Sequence, residues 1–321
     1  MVSKFREVYK AVDKNAVHWF PGHMGKGLRQ MQQKLKMVDC VIEVHDARIP
    51  YSGRNTDFKH TVTGLRPHIL VLNKKDLSDT STHDDIANQI KKNEGIDHVL
   101  YTNCKDQQCD GVRSIVPTAK YLIQNSNRFN RSEQPEYNLM IIGVPNVGKS
   151  SLTNVLRNRH LKTKGASQVG AVAGITRSVL TRIKISEKPL IYMYDTPGIL
   201  IPHIKNLEHG MKLASVSCMQ DHLVGEIQIA DYILYWLNKN GFFGYVELMN
   251  LKEPTDDIQE VLLSASAILN KTVKYKHPDG TVKVRPDFDF AARHLIRAFR
   301  DGQLGKFNLD NEYSQKTHEN P

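Results

Sequence analysis

Short apolar runs alternate with longer polar or amphipathic stretches along the first two thirds of the chain. The runs are rich in Val, Ile, Leu and Tyr, a composition typical of buried strands. Helical or polar segments separate the first of them, and this arrangement indicates parallel βα units. The pattern therefore predicts an α/β fold, with a mainly parallel sheet and helices on both faces. The six predicted strands lie at residues 39–44, 68–73, 98–103, 138–144, 178–186 and 190–195.

The last third of the chain has apolar residues at three- to four-residue spacing, which predicts helices at 226–238, 256–269 and 289–302. A similar spacing near the N-terminus aligns Leu28, Met31, Leu35 and Val38 on one helical face. Residues 105–137 are polar and carry little strand signal, so they are interpreted as a connection. The predicted organisation is a basic extension at 1–18, an α/β domain at 19–204, a small helical domain at 205–310 and a polar tail at 311–321.

Basic residues are in excess, with 44 Lys and Arg side chains against 34 Asp and Glu. They also cluster, because residues 157–184 contain seven basic side chains and no acid. Clustering favours a polyanion such as nucleic acid, although a basic surface can also serve solubility alone. No apolar run is long enough for a transmembrane helix, so any membrane contact is expected to be peripheral. The candidate RNA-binding residues, on one face of the last predicted helix, are Arg293, Arg297 and Arg300.

The segment GVPNVGKS, from Gly143 to Ser150, fills every fixed position of a phosphate-binding P-loop. It follows a predicted strand and precedes a predicted helix, which is the context that the motif requires. Glycine lets backbone N–H groups approach a β-phosphate, Lys149 reaches the phosphate oxygens, and the Ser150 hydroxyl is a ligand for Mg²⁺. The predicted phosphate-binding residues are Asn146, Val147, Gly148, Lys149, Ser150 and Ser151.

Two further segments are placed to sense the third phosphate of a nucleotide. DTPG ends a predicted strand, where Asp195 can hold Mg²⁺ and the N–H of Gly198 can contact a γ-phosphate. Thr176 is the candidate switch threonine that closes over the metal, and the alternative is a threonine at a strand edge. The predicted metal ligands are therefore Ser150, Thr176 and Asp195.

The segment NKKD ends an earlier predicted strand and indicates which base is bound. A carboxylate at Asp76 can accept hydrogen bonds from both N1–H and the 2-amino group of guanine, a pair that adenine lacks. The alternative is a polar turn that caps a helix. TNC, one strand later, is expected beside the base. The predicted guanine-binding residues are Asn73, Lys74, Lys75, Asp76, Asn103 and Cys104.

The order of these motifs is unusual, because the guanine motif comes before the P-loop, whereas ordinary GTPases have the phosphate loop first. A circular permutation preserves a sheet when the old chain ends are joined and a new break opens elsewhere. Here residues 105–137 are the predicted join, and the break lies just after Gly198. The helical domain would then follow the phosphate-sensing loop directly, so nucleotide state could set the angle of that domain.

Five segments together carry a family resemblance: WFPGHM, DARIP, NKKD, GVPNVGKSS and DTPG. In this order they resemble the YlqF-type circularly permuted GTPases of ribosome assembly, with the strongest likeness to the mitochondrial branch. The resemblance implies maturation of the large ribosomal subunit through rRNA contact, with GTP and Mg²⁺ as ligands and K⁺ at Asn146. It also implies the matrix side of the mitochondrial inner membrane, whereas a bacterial-type member would be cytoplasmic.

The residue after DTPG is Ile199, where many small GTPases have a glutamine that orients the attacking water. An aliphatic side chain cannot orient water or stabilise charge. The family resemblance points to His23 as the catalytic substitute, and an imidazole can hydrogen-bond water near neutral pH. The alternative role for His23 is packing or RNA contact beside Trp19 and Phe20.

The sequence leaves two functions of different classes. The first is a GTPase of low intrinsic rate that the ribosome stimulates during assembly of the large subunit. The second, favoured by Ile199, is a nucleotide-gated RNA-binding scaffold with negligible hydrolysis of its own.

Overall fold

The computed structural model describes residues 5–10, 33–54, 66–128, 131–161, 181–196, 204, 206–278 and 280–311. These residues form two compact units. The first unit contains the described residues between 33 and 204 together with 307–311. The second contains residues 5–10 and the described residues between 206 and 306. The predicted site residues that lie outside the described ranges are His23, Thr176 and Gly198.

A six-stranded sheet forms the centre of the first unit. The order across it is β3-β2-β1-β4-β6-β5. All neighbouring strands are parallel except β5 and β6, which are antiparallel at one edge. The prediction of a mainly parallel α/β sheet is thereby confirmed. The strands are β1 (Cys40–Asp46), β2 (His68–Asn73), β3 (Val99–Thr102), β4 (Tyr137–Ile142), β5 (Thr181–Glu187) and β6 (Leu190–Asp195).

Three helices pack on this sheet: α1 (His83–Glu94), α2 (Asp110–Gln124) and α3 (Lys149–Leu161). β1 lies inside the sheet, and all of its residues are buried. Leu70 and Leu72 of β2 pack against Ile86 and Ile90 of α1 in one core cluster. Strands that are buried on both faces have nearly continuous apolar sequences, which is why the sequence pattern located them.

α2 lies in the stretch predicted to join the old chain ends, for which the sequence interpretation proposed no helix. Its side chains Val112, Ile115, Ala119 and Ile123 are buried and recur at helical spacing. Polar residues between them and Pro117 inside the helix obscured this signal. The predicted helix around Leu28 lies mostly outside the described residues.

The second unit is helical, as predicted. α6 is its central element, because ten consecutive residues from Ile229 to Asn238 are buried and the helix contacts α4, α5, α8 and α9. None of the helices within the described ranges is both long and apolar enough to cross a membrane. The helices are α4 (Leu207–Ser215), α5 (Asp221–Val224), α6 (Glu226–Lys239), α7 (Gly244–Leu248), α8 (Ile258–Ile268) and α9 (Phe288–Arg300).

The second unit also contains a β-hairpin that the sequence interpretation missed. β7 (Thr272–Lys276) pairs with β8 (Val282–Pro286) in an antiparallel ribbon between α8 and α9. The available signals were an alternation of side-chain type and the turn-forming sequence Pro-Asp-Gly between the strands. Because neither face is buried, apolar side chains alternate with basic ones and no apolar stripe marks a core.

Residues 5–10, predicted as part of a separate extension, pack within the second unit. The Nη2 atom of Arg6 lies 2.8 Å from Oδ1 of Asp231, and its Nε atom lies 3.0 Å from Oδ2 of Asp256. Burial alone would lower the pKa of Arg6, but these two carboxylates raise it above its ordinary value. The side chain of Asp231 is only 3% exposed, so Arg6 supplies the charge that this buried carboxylate requires.

We predict that Arg6→Ala lowers the free energy of unfolding of the second unit by about 2–3 kcal/mol, because Asp231 stays buried without its partner. The matched control is Lys10→Ala, in the same segment but exposed, for which we expect a change within about 0.5 kcal/mol. Urea denaturation followed by the fluorescence of Trp236 in a Trp19→Phe background measures both. Equal effects of the two variants would contradict a structural role for Arg6.

Candidate functional site

The P-loop connects the end of β4 to the start of α3, in the strand–loop–helix context that the motif requires. Gly143 has a φ of 143°, and a Cβ atom at this position would collide with the carbonyl oxygen of Val44 in β1. Asn146 and Gly148 have φ values of 58° and 100°, so the loop turns sharply twice before the helix begins. The loop backbone thus curls over the end of β1 and leads into the N-terminus of α3, where helix geometry favours an anion.

Lys149 and Ser150 begin α3 and face the end of β6. The Nζ atom of Lys149 donates to the carbonyl oxygens of Gly143 at 3.1 Å and Val144 at 2.9 Å. The Ser150 hydroxyl donates to Oδ2 of Asp195 at 3.2 Å. The predicted lysine and both described metal-ligand candidates are therefore brought together beside the P-loop.

The carboxyl group of Asp195 suits a hard divalent cation. Burial raises the pKa of Asp195, while the ammonium group of Lys149 and the hydroxyl of Ser150 oppose that shift. Its Oδ1 atom is buried and has no hydrogen-bond partner among the described residues. Thr196, the next residue of DTPG, is anchored by a 2.6 Å hydrogen bond from its hydroxyl to the carbonyl oxygen of Ile141. A carboxylate oxygen and a hydroxyl in this arrangement fit Mg²⁺, which prefers oxygen ligands.

Asn73, the last residue of β2, joins the guanine motif to the P-loop. Its Nδ2 atom donates to the carbonyl oxygen of Val147 at 2.8 Å. Its Oδ1 atom accepts from the Thr102 hydroxyl at 3.0 Å and from the Cys104 thiol at 3.2 Å. A Cβ atom on Gly148 would collide with Nδ2 of Asn73. One amide side chain therefore connects the P-loop to the loops after β2 and β3.

Lys74 is held by a buried carboxylate of the DARIP segment, for which the sequence suggested no individual role. Lys74 has a left-handed conformation, with φ of 61°, and its Nζ atom lies 2.9 Å from Oδ2 of Asp46. Arg48 donates to both carboxylate oxygens of Asp46, at 2.9 and 2.8 Å. Burial alone would raise the pKa of Asp46, but Arg48 and Lys74 hold it well below its usual range. Asp46 is therefore an anion that positions the guanine motif.

Asp76 follows in the short 3₁₀ helix Lys75–Leu77, at the surface of the site. Its side chain is 28% exposed and lies 3.6 Å from Nζ of Lys105, itself 77% exposed. Such a loose surface ion pair is weak, so the carboxylate can accept hydrogen bonds from a base. Asn103 uses its Oδ1 atom to accept from the backbone N–H of Lys105 at 2.9 Å. Its side chain shapes the loop beside Asp76.

Cys104 contributes as a neutral thiol. Burial raises the pKa of Cys104 to about 12, so the sulfur stays protonated and can donate to Asn73. A protonated, partly buried thiol is a poor nucleophile. The structure thus favours a positioning role for this residue next to the guanine motif.

Residues 307–310 buttress the same loops from the C-terminal end of the described chain, although the sequence placed them in the helical domain. The backbone N–H of Phe307 donates to the carbonyl oxygen of Leu77 at 3.2 Å, and that of Leu309 to Arg48 at 2.8 Å. Asp310 accepts from the hydroxyl of Ser52 at 2.6 Å. No periodic pattern marks this short segment, so the sequence alone could not place it.

The predicted arginine face of α9 is only partly free. Arg300 donates to both carboxylate oxygens of Asp221, at 2.6 and 2.7 Å, and to the carbonyl oxygens of Ala214 and Ser215. These contacts tie α9 to α4 and α5, so the Arg300 side chain has internal partners. Arg293 and Arg297 are exposed, and Arg293 lies 3.7 Å from Glu226.

Comparisons with known proteins agree with this geometry. A family model described as "50S ribosome-binding GTPase" matches residues 138–271. The chain is 62% identical over 313 residues to "Mitochondrial GTPase 1" of Aedes aegypti, covering 97% of this chain and 99% of that protein. It is 49% identical to "Mitochondrial ribosome-associated GTPase 1" of Mus musculus, covering 96% and 94% of the two chains.

Among solved structures, the chain is similar to GNP-bound YlqF from T. maritima, with a TM-score of 0.55. The match covers 88% of this chain and 97% of that one at 20% sequence identity, which supports the circularly permuted GTPase fold. Because the identity to the mitochondrial GTPases is high and extends over nearly the full length of both chains, this protein belongs to the family of mitochondrial GTPase 1, the circularly permuted GTPases also named mitochondrial ribosome-associated GTPase 1.

Proposed function

We propose that this protein hydrolyses GTP in mitochondria and assists assembly of the large ribosomal subunit by binding rRNA in a nucleotide-dependent way. The observation that carries the GTPase assignment is the Asn73 side chain, which bonds the guanine motif to the P-loop carbonyl of Val147. This contact sets the base-recognition loop at a fixed distance from the phosphate-binding loop. The names of the relatives support the mitochondrial and ribosomal parts of the proposal.

The phosphate side of the site would bind Mg²⁺–GTP with residues that already face one another. Lys149, now bonded to two loop carbonyls, can exchange them for phosphate oxygens. Ser150 and Asp195 would hold Mg²⁺, with Thr176 as a further ligand. The ion would supply positive charge that neutralises the negative charge of the phosphate oxygens. We also propose that Asn146 helps to hold K⁺ beside the phosphates.

Hydrolysis requires a group that orients water, and Ile199 cannot serve. We propose His23 for this role, with a low intrinsic rate that rises when the large subunit brings the N-terminal segment into the site. The basic cluster at 157–184 and the exposed residues Arg293 and Arg297 are proposed to contact rRNA. Docking would occur on the matrix side of the inner membrane, with peripheral membrane contact.

The rival function is a nucleotide-gated scaffold without hydrolysis, and it is favoured by Ile199. Multiple-turnover phosphate release with and without purified large subunits separates the two. Release stimulated by the subunit supports the GTPase. Subunit binding that depends on nucleotide but never stimulates release would leave the scaffold.

We predict that Asp76→Asn weakens GTP binding at least tenfold and improves binding of xanthosine triphosphate. An amide can donate to the 2-carbonyl of xanthine, but it cannot accept from both N–H groups of guanine. Competition binding with the two nucleotides measures the exchange. The matched control is Asp85→Asn, exposed on α1, which should bind both nucleotides like the wild type. Unchanged GTP affinity in Asp76→Asn would remove the basis for guanine selection.

We predict that Gly148→Ala raises the dissociation constants of GTP and GDP at least tenfold, about 1.4 kcal/mol. The added methyl group would collide with Asn73 and separate the two loops. Gly95→Ala is the matched control, because Gly95 also has a positive φ but has open space around it. It should lose some stability and keep its nucleotide affinity. Similar nucleotide affinities for the two variants would argue against the Asn73 bridge.

We predict that His23→Ala lowers turnover in the presence of large subunits at least tenfold, about 1.4 kcal/mol of barrier. Nucleotide affinity should stay near the wild-type value, because the proposed role is to orient water. His18→Ala, in the same segment, is the matched control. Weaker subunit binding with normal turnover per bound molecule would instead assign His23 to RNA contact.

A further inference from the structure

The β7–β8 ribbon, named here the basic hairpin, consists of the two strands Thr272–Lys276 and Val282–Pro286. Every residue of β7 is exposed, as are the first four residues of β8. Two-stranded ribbons are marginally stable by themselves. The basic hairpin is held at its base, where the N–H of Asp287 donates to the carbonyl oxygen of Lys271 at 3.1 Å. The Ser266 hydroxyl of α8 donates to the Asp287 carbonyl oxygen at 3.2 Å, so the ribbon stands on a fixed helical support.

The strand register distributes charge over both faces of the basic hairpin. Directly paired residues of an antiparallel ribbon point to the same face. One face carries the pairs Lys274–Val284 and Lys276–Val282, and the other carries Val273–Arg285 and Tyr275–Lys283. Each pair joins one basic side chain to one apolar or aromatic side chain. The basic row therefore lies on β7 on one face and on β8 on the other.

The charge of this segment is strongly unbalanced. Residues 271–286 contain five Lys or Arg side chains and one acid, Asp279. The basic surface continues at the base of the ribbon, where Lys271 and Arg293 both lie over the ring of Phe290, at 5.4 and 6.0 Å. The positive surface thus extends from the two strands of the hairpin to the exposed side of α9.

We propose that the basic hairpin is an RNA-binding ribbon, with its two basic rows contacting phosphates on either side. The inference rests on the proposed ribosomal function and assigns a second rRNA contact to the helical unit. Tyr275 is 39% exposed and lies 5.8 Å from the Arg285 guanidinium, which provides two flat groups for unpaired bases.

A membrane surface is the other anionic partner that a basic ribbon could meet. Insertion into a bilayer interface requires one continuous apolar face and one charged face. The strand register of the basic hairpin gives no continuous apolar face, because each of its two faces carries two basic side chains. A phosphate backbone requires no apolar face, and charge complementarity therefore favours RNA.

The test compares a hairpin variant, K274Q/K276Q/K283Q/R285Q, with a control that removes four exposed lysines elsewhere, K91Q/K92Q/K120Q/K252Q. The probes are purified mitochondrial large subunits, a 20-base-pair RNA stem-loop and vesicles that contain anionic phospholipid. We expect the hairpin variant to bind the subunit and the RNA at least tenfold more weakly at 150 mM salt. The salt slope for RNA should fall by about 3, at 0.7–0.9 for each lost phosphate contact. Circular dichroism and thermal melting check that both variants fold.

Two partial variants, K274Q/K276Q and K283Q/R285Q, test the prediction that both faces contribute, and each should lower the salt slope by about 1.5, half of the decrease in the four-site variant. Wild-type RNA affinity in the four-site variant would overturn the hairpin proposal while leaving the ribosomal function intact. A loss of vesicle binding alone would assign the ribbon to membrane instead. An equal loss in the control would show a general charge effect and overturn the proposal. Wild-type protein that binds neither the subunit nor RNA would overturn both the hairpin and the ribosomal function.

Discussion

The nucleotide site depends on one amide side chain, Asn73, which connects the end of β2 to the P-loop that follows β4. β2 and β4 are separated by β1, so their ends lie about 9–10 Å apart. The P-loop must curl across the end of β1 for the carbonyl oxygen of Val147 to reach Asn73 at 2.8 Å. That path requires glycine at 143, above the Val44 carbonyl, and at 148, beside the amide itself. An amide has both a donor and an acceptor, so it can bind the P-loop with one end and the β3 loop with the other.

A buried ionic group, Asp46 with its two basic partners, supports the guanine-motif loop. Asp46 is fully buried between Arg48 and Lys74, and removing either partner would leave it undercompensated. A left-handed conformation is costly for a lysine, and the ion pair with Asp46 offsets that cost. The backbone N–H groups of Phe307 and Leu309 donate to the carbonyl oxygens of Leu77, after β2, and Arg48, after β1. The base-recognition loop is therefore held by Asn73, by Asp46 and by the backbone of Phe307 before any nucleotide binds.

The permuted order of motifs is compatible with this site because strand pairing does not depend on the order in which the chain forms the strands, provided that each strand keeps its direction. The chain leaves β3 at one edge and returns to β4 on the other side of β1 through the segment that contains α2. α2 therefore serves as the crossover that a permutation requires, and its apolar side packs on the sheet as any βα helix does. The loops at the carboxyl ends of the strands keep their spatial neighbours, and the nucleotide site is preserved.

The sequence by itself determined the six strands of the central sheet, the P-loop, the guanine motif and the helical character of the last third. Each of these has a local cause: burial on both faces makes β1 and β4 apolar, and the phosphate and guanine motifs are fixed by short-range spacing. The tertiary structure alone decided the partners of side chains far apart in sequence. It paired Asp46 with Lys74, placed Arg6 against Asp231, and engaged Arg300 with Asp221, although its helical spacing had indicated a free surface. It also formed the basic hairpin. Neither face of this ribbon packs against a core, so neither face is a continuous apolar stripe. Long-range ion pairs have no periodic signature, and the alternation in these exposed strands separates no apolar face from a polar one, so the folded chain was needed to identify both.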